Sequence, residues 1–121
     1  MKIGIIGYGY WGKIIWSNLN KLGLKAVICD PLIDFAESNY KNLDIDYAFV
    51  LTPVSSHYEV CSYFLSKGVH VFCEKPLVTT SDQAVRLYRK AKQNKVCLFV
   101  DWIFTFNNQV NLIKKLVEDK K

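Results

Sequence analysis

Residues 1–12 read MKIGIIGYGYWG, and this order decides the fold. Residues 2–7 make a short apolar run of strand composition. Glycines stand at 7, 9 and 12, and Trp11, Ile14, Ile15, Leu19 and Leu22 then recur at the spacing of one helix stripe. Gly23 is placed to end that helix. A strand that turns through glycines straight into a helix suits a parallel sheet, because parallel neighbours need a long crossover between them.

The same unit recurs outward along the chain. Residues 25–29 read as a second strand, 46–51 as a third that stops at Thr52-Pro53, 69–73 as a fourth and 96–100 as a fifth. After the third strand, Ser55 or Ser56 is placed to cap a helix with the stripe His57, Val60, Cys61, Phe64 and Leu65, closed by Gly68. Thr80 with Gln83 forms a capping box for a helix to about Asn94, with Ala84, Leu87, Tyr88 and Ala91 facing inward. Asn107 or Asn108 caps a last helix through Val110, Ile113 and Val117, and residues 31–41 are assigned one short helix. Right-handed crossovers turn this series into an α/β fold, a doubly wound parallel sheet with helices on both faces, as one domain over residues 1–121.

Composition excludes several classes. The chain has 121 residues, room for one domain. Its 50% apolar and 22% charged content fits a globular protein and not a disordered one. No run reaches about 18 consecutive apolar residues, and the first residues carry no leader cleavage pattern, so a cytoplasmic protein without a membrane partner is expected. Cys29, Cys61, Cys73 and Cys97 lie apart, with no C-x-x-C pair, and read as reduced core residues and not as metal ligands. The net charge of +5 raises the question of nucleic acid. Arg86 and Arg89 are the only arginines, and the lysines are scattered apart from Lys114-Lys115 and Lys120-Lys121. A solvated basic surface is the expectation, with no nucleic-acid partner.

Ligands of doubly wound sheets bind beyond the carboxyl ends of the strands, so the residues after each strand carry the candidates. Gly7-Tyr8-Gly9-Tyr10-Trp11-Gly12 matches G-x-G-x-x-G between a strand and a helix. Gly7 permits the tight turn, Gly9 lets backbone approach a pyrophosphate, and Gly12 lets the helix pack close; phosphates then meet the positive helix end. The plainer alternative is a glycine turn. Tyr10 and Trp11 can stack on a ligand or pack on the sheet edge. Asp30 falls 18 residues after Gly12, where a carboxylate accepts from ribose hydroxyls. It favours NAD over NADP, since it repels a 2′-phosphate and Pro31-Leu32-Ile33 supplies no arginine. Its alternative is a turn residue before proline. Lys75, in Glu74-Lys75-Pro76, can donate to a substrate oxygen or serve in proton transfer, or be an exposed loop lysine. His57, on an apolar stripe, reads as a half-buried structural histidine before it reads as a base or metal ligand.

Three segments together resemble the Gfo/Idh/MocA oxidoreductases: the glycine loop, Thr52-Pro53 with His57, and Lys67-Gly68-Val69-His70-Val71-Phe72-Cys73-Glu74-Lys75-Pro76. That family carries G-x-G-x-x-G, T-P-x-x-x-H and G-K-H-V-x-x-E-K-P segments in this order. The resemblance implies a Rossmann-like domain with a nicotinamide dinucleotide along the strand ends. Gly7, Tyr8, Gly9, Tyr10, Trp11, Gly12, Asp30, Thr52, Pro53, His57 and Glu74 would bind the cofactor. Lys75 would be catalytic, near the nicotinamide ribose and the reacting carbon of a sugar, nucleotide sugar or polyol.

Val100-Asp101-Trp102-Ile103-Phe104-Thr105-Phe106-Asn107 is similar to the V-D-H-T-F-x-F-N segment of members acting on nucleotide sugars, with Trp102 in place of histidine. Family members continue into a second domain that holds substrate-binding residues, the usual catalytic histidine and commonly the oligomer interface. This chain stops about where that domain begins. The resemblance therefore implies a truncated, cofactor-binding portion that is not active alone and is compatible with an oligomer. The alternative is a standalone, non-enzymatic dinucleotide-binding or interaction module.

Overall fold

A computed structural model describes residues 1–119. Strands Ile3–Ile6 (β1), Ala26–Cys29 (β2), Tyr47–Val50 (β3), His70–Cys73 (β4) and Leu98–Val100 (β5) pair in parallel in the order β2-β1-β3-β4-β5. Helices Tyr10–Lys21 (α1), Val54–Ser66 (α2), Ser81–Gln93 (α3) and Asn108–Glu118 (α4) make up the rest of the regular structure, with short 3-10 turns at Tyr40–Asn42 and Ile103–Phe106. The chain runs from β1 out to β2 and then back past β1 to β3. That reversal is the switch point where such sheets open a crevice at their carboxyl edge.

Strand register sorts the side chains into two faces. Cys29, Ile6, Val50, Cys73 and Val100 lie abreast on one face, all buried. Against them pack Val60, Cys61, Phe64 and Leu65 of α2 and Leu87 and Ala91 of α3, forming the main core. The α2 stripe is the one the spacing predicts. On the other face Ile28, Ile5, Phe49, Phe72 and Phe99 lie abreast. There α1 brings Leu19 onto Ile3 and Ile5. Farther along, over β3 to β5, the aromatic rings cover one another: Phe72 stacks on Phe99 at 5.4 Å, and Phe99 meets Phe106 at 6.4 Å.

Several local expectations are corrected. Pro53, and neither Ser55 nor Ser56, caps α2; the Ser56 hydroxyl is turned to Thr52 Oγ1 and the Pro53 carbonyl instead. Thr80 does cap α3, accepting from the Gln83 N–H at 3.3 Å, but the Gln83 side chain accepts from the Thr79 hydroxyl, so half the box forms. Tyr88 is 49% exposed: it follows Leu87 by one residue, about 100° around the helix from the buried stripe. Leu22 lies beyond α1 and is exposed. Cys97 is exposed, not a core residue.

Residues 31–41 contain no α-helix. Glu37 instead bridges to Cys29 at the edge of β2, exchanging backbone bonds with Ile28 and Asp30. Asn107 caps α4 by accepting from the Val110 N–H, yet no residue of that helix is buried, so Val110, Ile113 and Val117 form no core. Lys120-Lys121 lies outside the described residues. Among those described, no helix is long and apolar enough to cross a membrane, and no three ligating side chains cluster for a metal.

Replacing Phe64, which is 1% exposed, with alanine is expected to cost about 3–5 kcal/mol in urea unfolding. Tyr88→Ala should stay within about 0.5 kcal/mol, as surface changes do. A cost for Tyr88→Ala comparable to that for Phe64→Ala would contradict the orientation of α3.

Candidate functional site

The turn from β1 into α1 is shaped by two close approaches and one open space. Gly7 has φ +94, and a Cβ there would lie 2.8 Å from the Leu51 backbone. A Cβ on Gly12 would run into the Gly7 carbonyl oxygen, so the helix rests directly on the turn. Gly9, in contrast, has no atom within 4 Å of where its Cβ would be. It caps α1 without a side chain, and the first turn of that helix carries no acidic residue. Unpaired N–H groups at the positive helix end thus border room for an anion. Tyr10 and Trp11 are exposed and pack edge-on with each other at 5.5 Å. Tyr8 meets the edges of Trp16 and Phe35, each at 6.2 Å.

Asp30 stands at the end of β2 and ties two turns together. One carboxylate oxygen accepts from the Tyr8 N–H at 2.8 Å and the other from the Leu32 N–H at 2.9 Å. It is therefore a turn residue, as one reading expects, and it also borders a cleft of about 620 Å³. That cleft brings together Gly7, Gly9, Asp30, Thr52 and Pro53. Ser38, Asn39, Tyr40 and Ser56 line it as well and were not among the sequence candidates. No motif marks them; the first three arrive through the irregular segment after β2. Burial and the Glu59 carboxylate push the Tyr40 hydroxyl up to about 12. Burial, with Glu37 and Asp30 nearby, pushes the Cys29 thiol up to about 11. Both stay neutral at pH 7.

The second half of the site lies at the ends of β4 and β5. Lys75 is exposed and shares a pocket of about 340 Å³ with Asp101, Trp102, Ile103 and Phe104. Glu74 is 8% exposed, and its Oε1 is buried without a hydrogen-bond partner among the described residues. His57 is fully buried, not half-buried as expected. Its Nε2 lies 2.7 Å from the Thr52 carbonyl oxygen, and its Nδ1 lies 3.0 Å from that of Pro76. Two open spaces thus lie along one edge of one sheet, the first beside the glycine turn and the second beside Lys75.

A doubly wound parallel sheet with a glycine turn at its switch point belongs to the Rossmann-like α/β class, whose ligands bind in the crevice at that point. Residues 29–102 match the family described as "Oxidoreductase family, NAD-binding Rossmann fold", GFO_IDH_MocA. The chain is 32% identical over 99 residues to the uncharacterized oxidoreductase YfiI of Bacillus subtilis, covering 80% of this chain and 25% of that protein. It is 25% identical over 135 residues to the scyllo-inositol 2-dehydrogenase (NADP(+)) IolW of the same organism, covering 98% and 38%. Its fold superposes with a TM-score of 0.83 on the WlbA dehydrogenase of Bordetella pertussis in complex with NADH and UDP-GlcNAcA, at 24% identity, covering 98% of this chain and 42% of that one. The chain belongs to the Gfo/Idh/MocA oxidoreductases and spans less than half the length of these relatives.

The glycine geometry separates fold from ligand space. Gly12→Val is expected to destabilise the chain by about 1–3 kcal/mol through overpacking against the Gly7 carbonyl. Gly9→Val should stay within about 0.5 kcal/mol, as its side chain enters open space. Equal losses in denaturant unfolding would mean that the space at Gly9 is not open.

Proposed function

We propose that this chain is the cofactor-binding part of an oxidoreductase that moves a hydride between NAD(H) and a carbinol carbon of a sugar, nucleotide sugar or polyol. The supporting observation is the pair of ligand spaces along one strand edge, which suits a two-ended ligand. The residues fit a dinucleotide at three points. Gly9 leaves room where a pyrophosphate must come close to backbone. Asp30, held by two N–H groups, keeps lone pairs for ribose hydroxyls. Glu74 offers a buried carboxylate oxygen without a partner among the described residues, an acceptor suited to a hydroxyl.

When bound, the nicotinamide supplies the hydride acceptor or donor. In this reading the Lys75 ammonium donates a hydrogen bond to the substrate oxygen and stabilises negative charge that develops there. Asp101 accepts from a neighbouring hydroxyl, and Trp102 and Phe104 offer apolar surface to a ring's C–H face. Among relatives, IolW is named for NADP(+), whereas the WlbA structure holds NADH. For this chain the Asp30 carboxylate supports NAD.

Turnover needs more than these residues. A substrate carbon must be held about 3–3.5 Å from its partner, and such orientation is worth roughly 7–11 kcal/mol. Relatives carry more than half their length outside the matched portion. This chain leaves Phe99, Phe104, Phe106, Ile113 and Leu116 exposed. We read that apolar surface as the seat of a second, substrate-holding domain.

Calorimetry should find NADH bound more tightly than NADPH, with Asp30→Ala narrowing the difference and Gly9→Val weakening both by at least about tenfold. Tighter NADPH binding by the unaltered chain would overturn the cofactor preference. Absorbance at 340 nm with sugars, inositols and nucleotide sugars should show no substrate-dependent turnover by the 121-residue chain. Turnover near about 1 s⁻¹ that Lys75→Ala abolishes would refute the need for a second domain.

A further inference from the structure

His57 is 1% exposed on α2, and both of its ring nitrogens face carbonyl oxygens. Nε2 lies 2.7 Å from Thr52 O, just after β3; Nδ1 lies 3.0 Å from Pro76 O and 3.2 Å from Leu77 O, just after Lys75. A neutral imidazole has one N–H and one lone pair. In either neutral tautomer one nitrogen would set its lone pair against a carbonyl lone pair, in a buried place where an unmet polar group is costly. The imidazolium donates from both nitrogens and meets both partners. The only other histidine is placed differently: His70 Nδ1 accepts the Cys97 backbone N–H at 3.1 Å.

We propose that His57 is a buried imidazolium that cross-links the turn after β3 to the segment after β4, and that it thereby acts as a positioning residue for Lys75. The role toward Lys75 rests on the cofactor reading above; the protonation state does not.

Every element packed around the ring is consistent with a cation. The segments at Thr52 and at Pro76 and Leu77 present carbonyl oxygens. From β4 comes the Cys73 thiol; the Glu74 carboxyl just beyond that strand and Cys61 from α2 itself both act on Cys73. Cys61 lowers the Cys73 thiol against the effect of burial, with help from His57, and Cys61 is raised in turn; the Cys73 thiol donates to the Glu74 carbonyl oxygen at 3.4 Å. Burial alone would push His57 down. Cys73 and the Thr52 and Pro76 carbonyls outweigh it and hold the ring up at about 9. An unfolded histidine titrates near about 6.5. The folded chain thus binds this proton more tightly, and the stabilisation it brings is complete below about pH 6.5 and lost as pH rises through about 9.

Nitrogen-15 correlation spectra of the two histidine rings in the 121-residue chain test the protonation directly, with His70→Gln used to assign the signals. At pH 8 an ordinary histidine is only about 3% protonated. His57 should still show two N–H nitrogens; a bare nitrogen on His57 would overturn the proposal. Raising the pH should then shift the backbone amide signals of Lys75, Leu77 and Val78 with the His57 midpoint near 9. Amides that stand still while His57 loses its proton would refute the positioning role. NADH affinity should fall over the same range by roughly fivefold or more, the low end of ordinary coupling between sites. His57→Gln should lack that step, and its persistence there would also count against the role. A chain that binds no NADH at any pH would sink the cofactor reading, while the ring nitrogens and amides would still decide this one.

Discussion

All five strands point the same way, and that constraint organises everything else in the molecule. Parallel strands deliver each carboxyl end to one edge, and each crossover helix must start from that edge. Five strand ends and the starts of α1 and α2 are therefore neighbours without any dedicated contact to gather them. The glycine turn, Asp30, Thr52, Glu74, Lys75 and Asp101 meet because each is the next residue after a strand, or nearly so. Buried side chains at the ends of β1, β3, β4 and β5 make that edge firm. Ile6, Val50, Cys73 and Val100 sit abreast at that edge, and Cys73 and Val100 are followed directly by Glu74 and Asp101.

Much of this is legible in the sequence, because strand ends and helix stripes are local patterns. The continuous apolar run before Gly7 marks a strand buried on both faces, the stripe from His57 to Leu65 marks the buried side of its helix, and both lie where their spacing predicts. Tyr88 is misread because an apolar residue beside a true stripe is counted as part of it. Residues 31–41 resist reading for a different reason: Glu37 satisfies its backbone on the edge of β2, a partner that no local pattern reveals. Ser38, Asn39 and Tyr40 reach the cleft through that segment and so go unannounced. The burial of His57 was partly visible from its stripe. Its two carbonyl partners were not, since one of them belongs to a residue 19 positions away.

The two faces of the sheet are finished to different degrees. Behind α2 and α3 the packing is closed, with Cys61, Leu65, Cys73 and Leu87 fully shielded. On the α1 side the shielding stops at β3, and a row of aromatic rings continues outward to Phe106. The same contrast holds for α4, which has a sound cap at Asn107 and no buried residue. That helix touches the Ile103–Phe106 turn, through Asn111 on the Thr105 carbonyl, and leaves its apolar residues exposed, in a chain that spans less than half the length of its relatives.

The separation of the two ligand spaces has a consequence for how such a chain can change over generations. The irregular stretch that walls the first cleft contributes Leu32, Ser38, Asn39 and Tyr40, and none of these borders the pocket at Lys75. Under the proposed function, mutations in that stretch would retune nucleotide recognition without touching the residues around Lys75. On the same proposal, changes at Trp102 or Phe104 would alter the pocket at Lys75 and leave the first cleft intact. Selection would then act on each end of the crevice on its own schedule, and a lineage would keep one cofactor while trading one substrate for another.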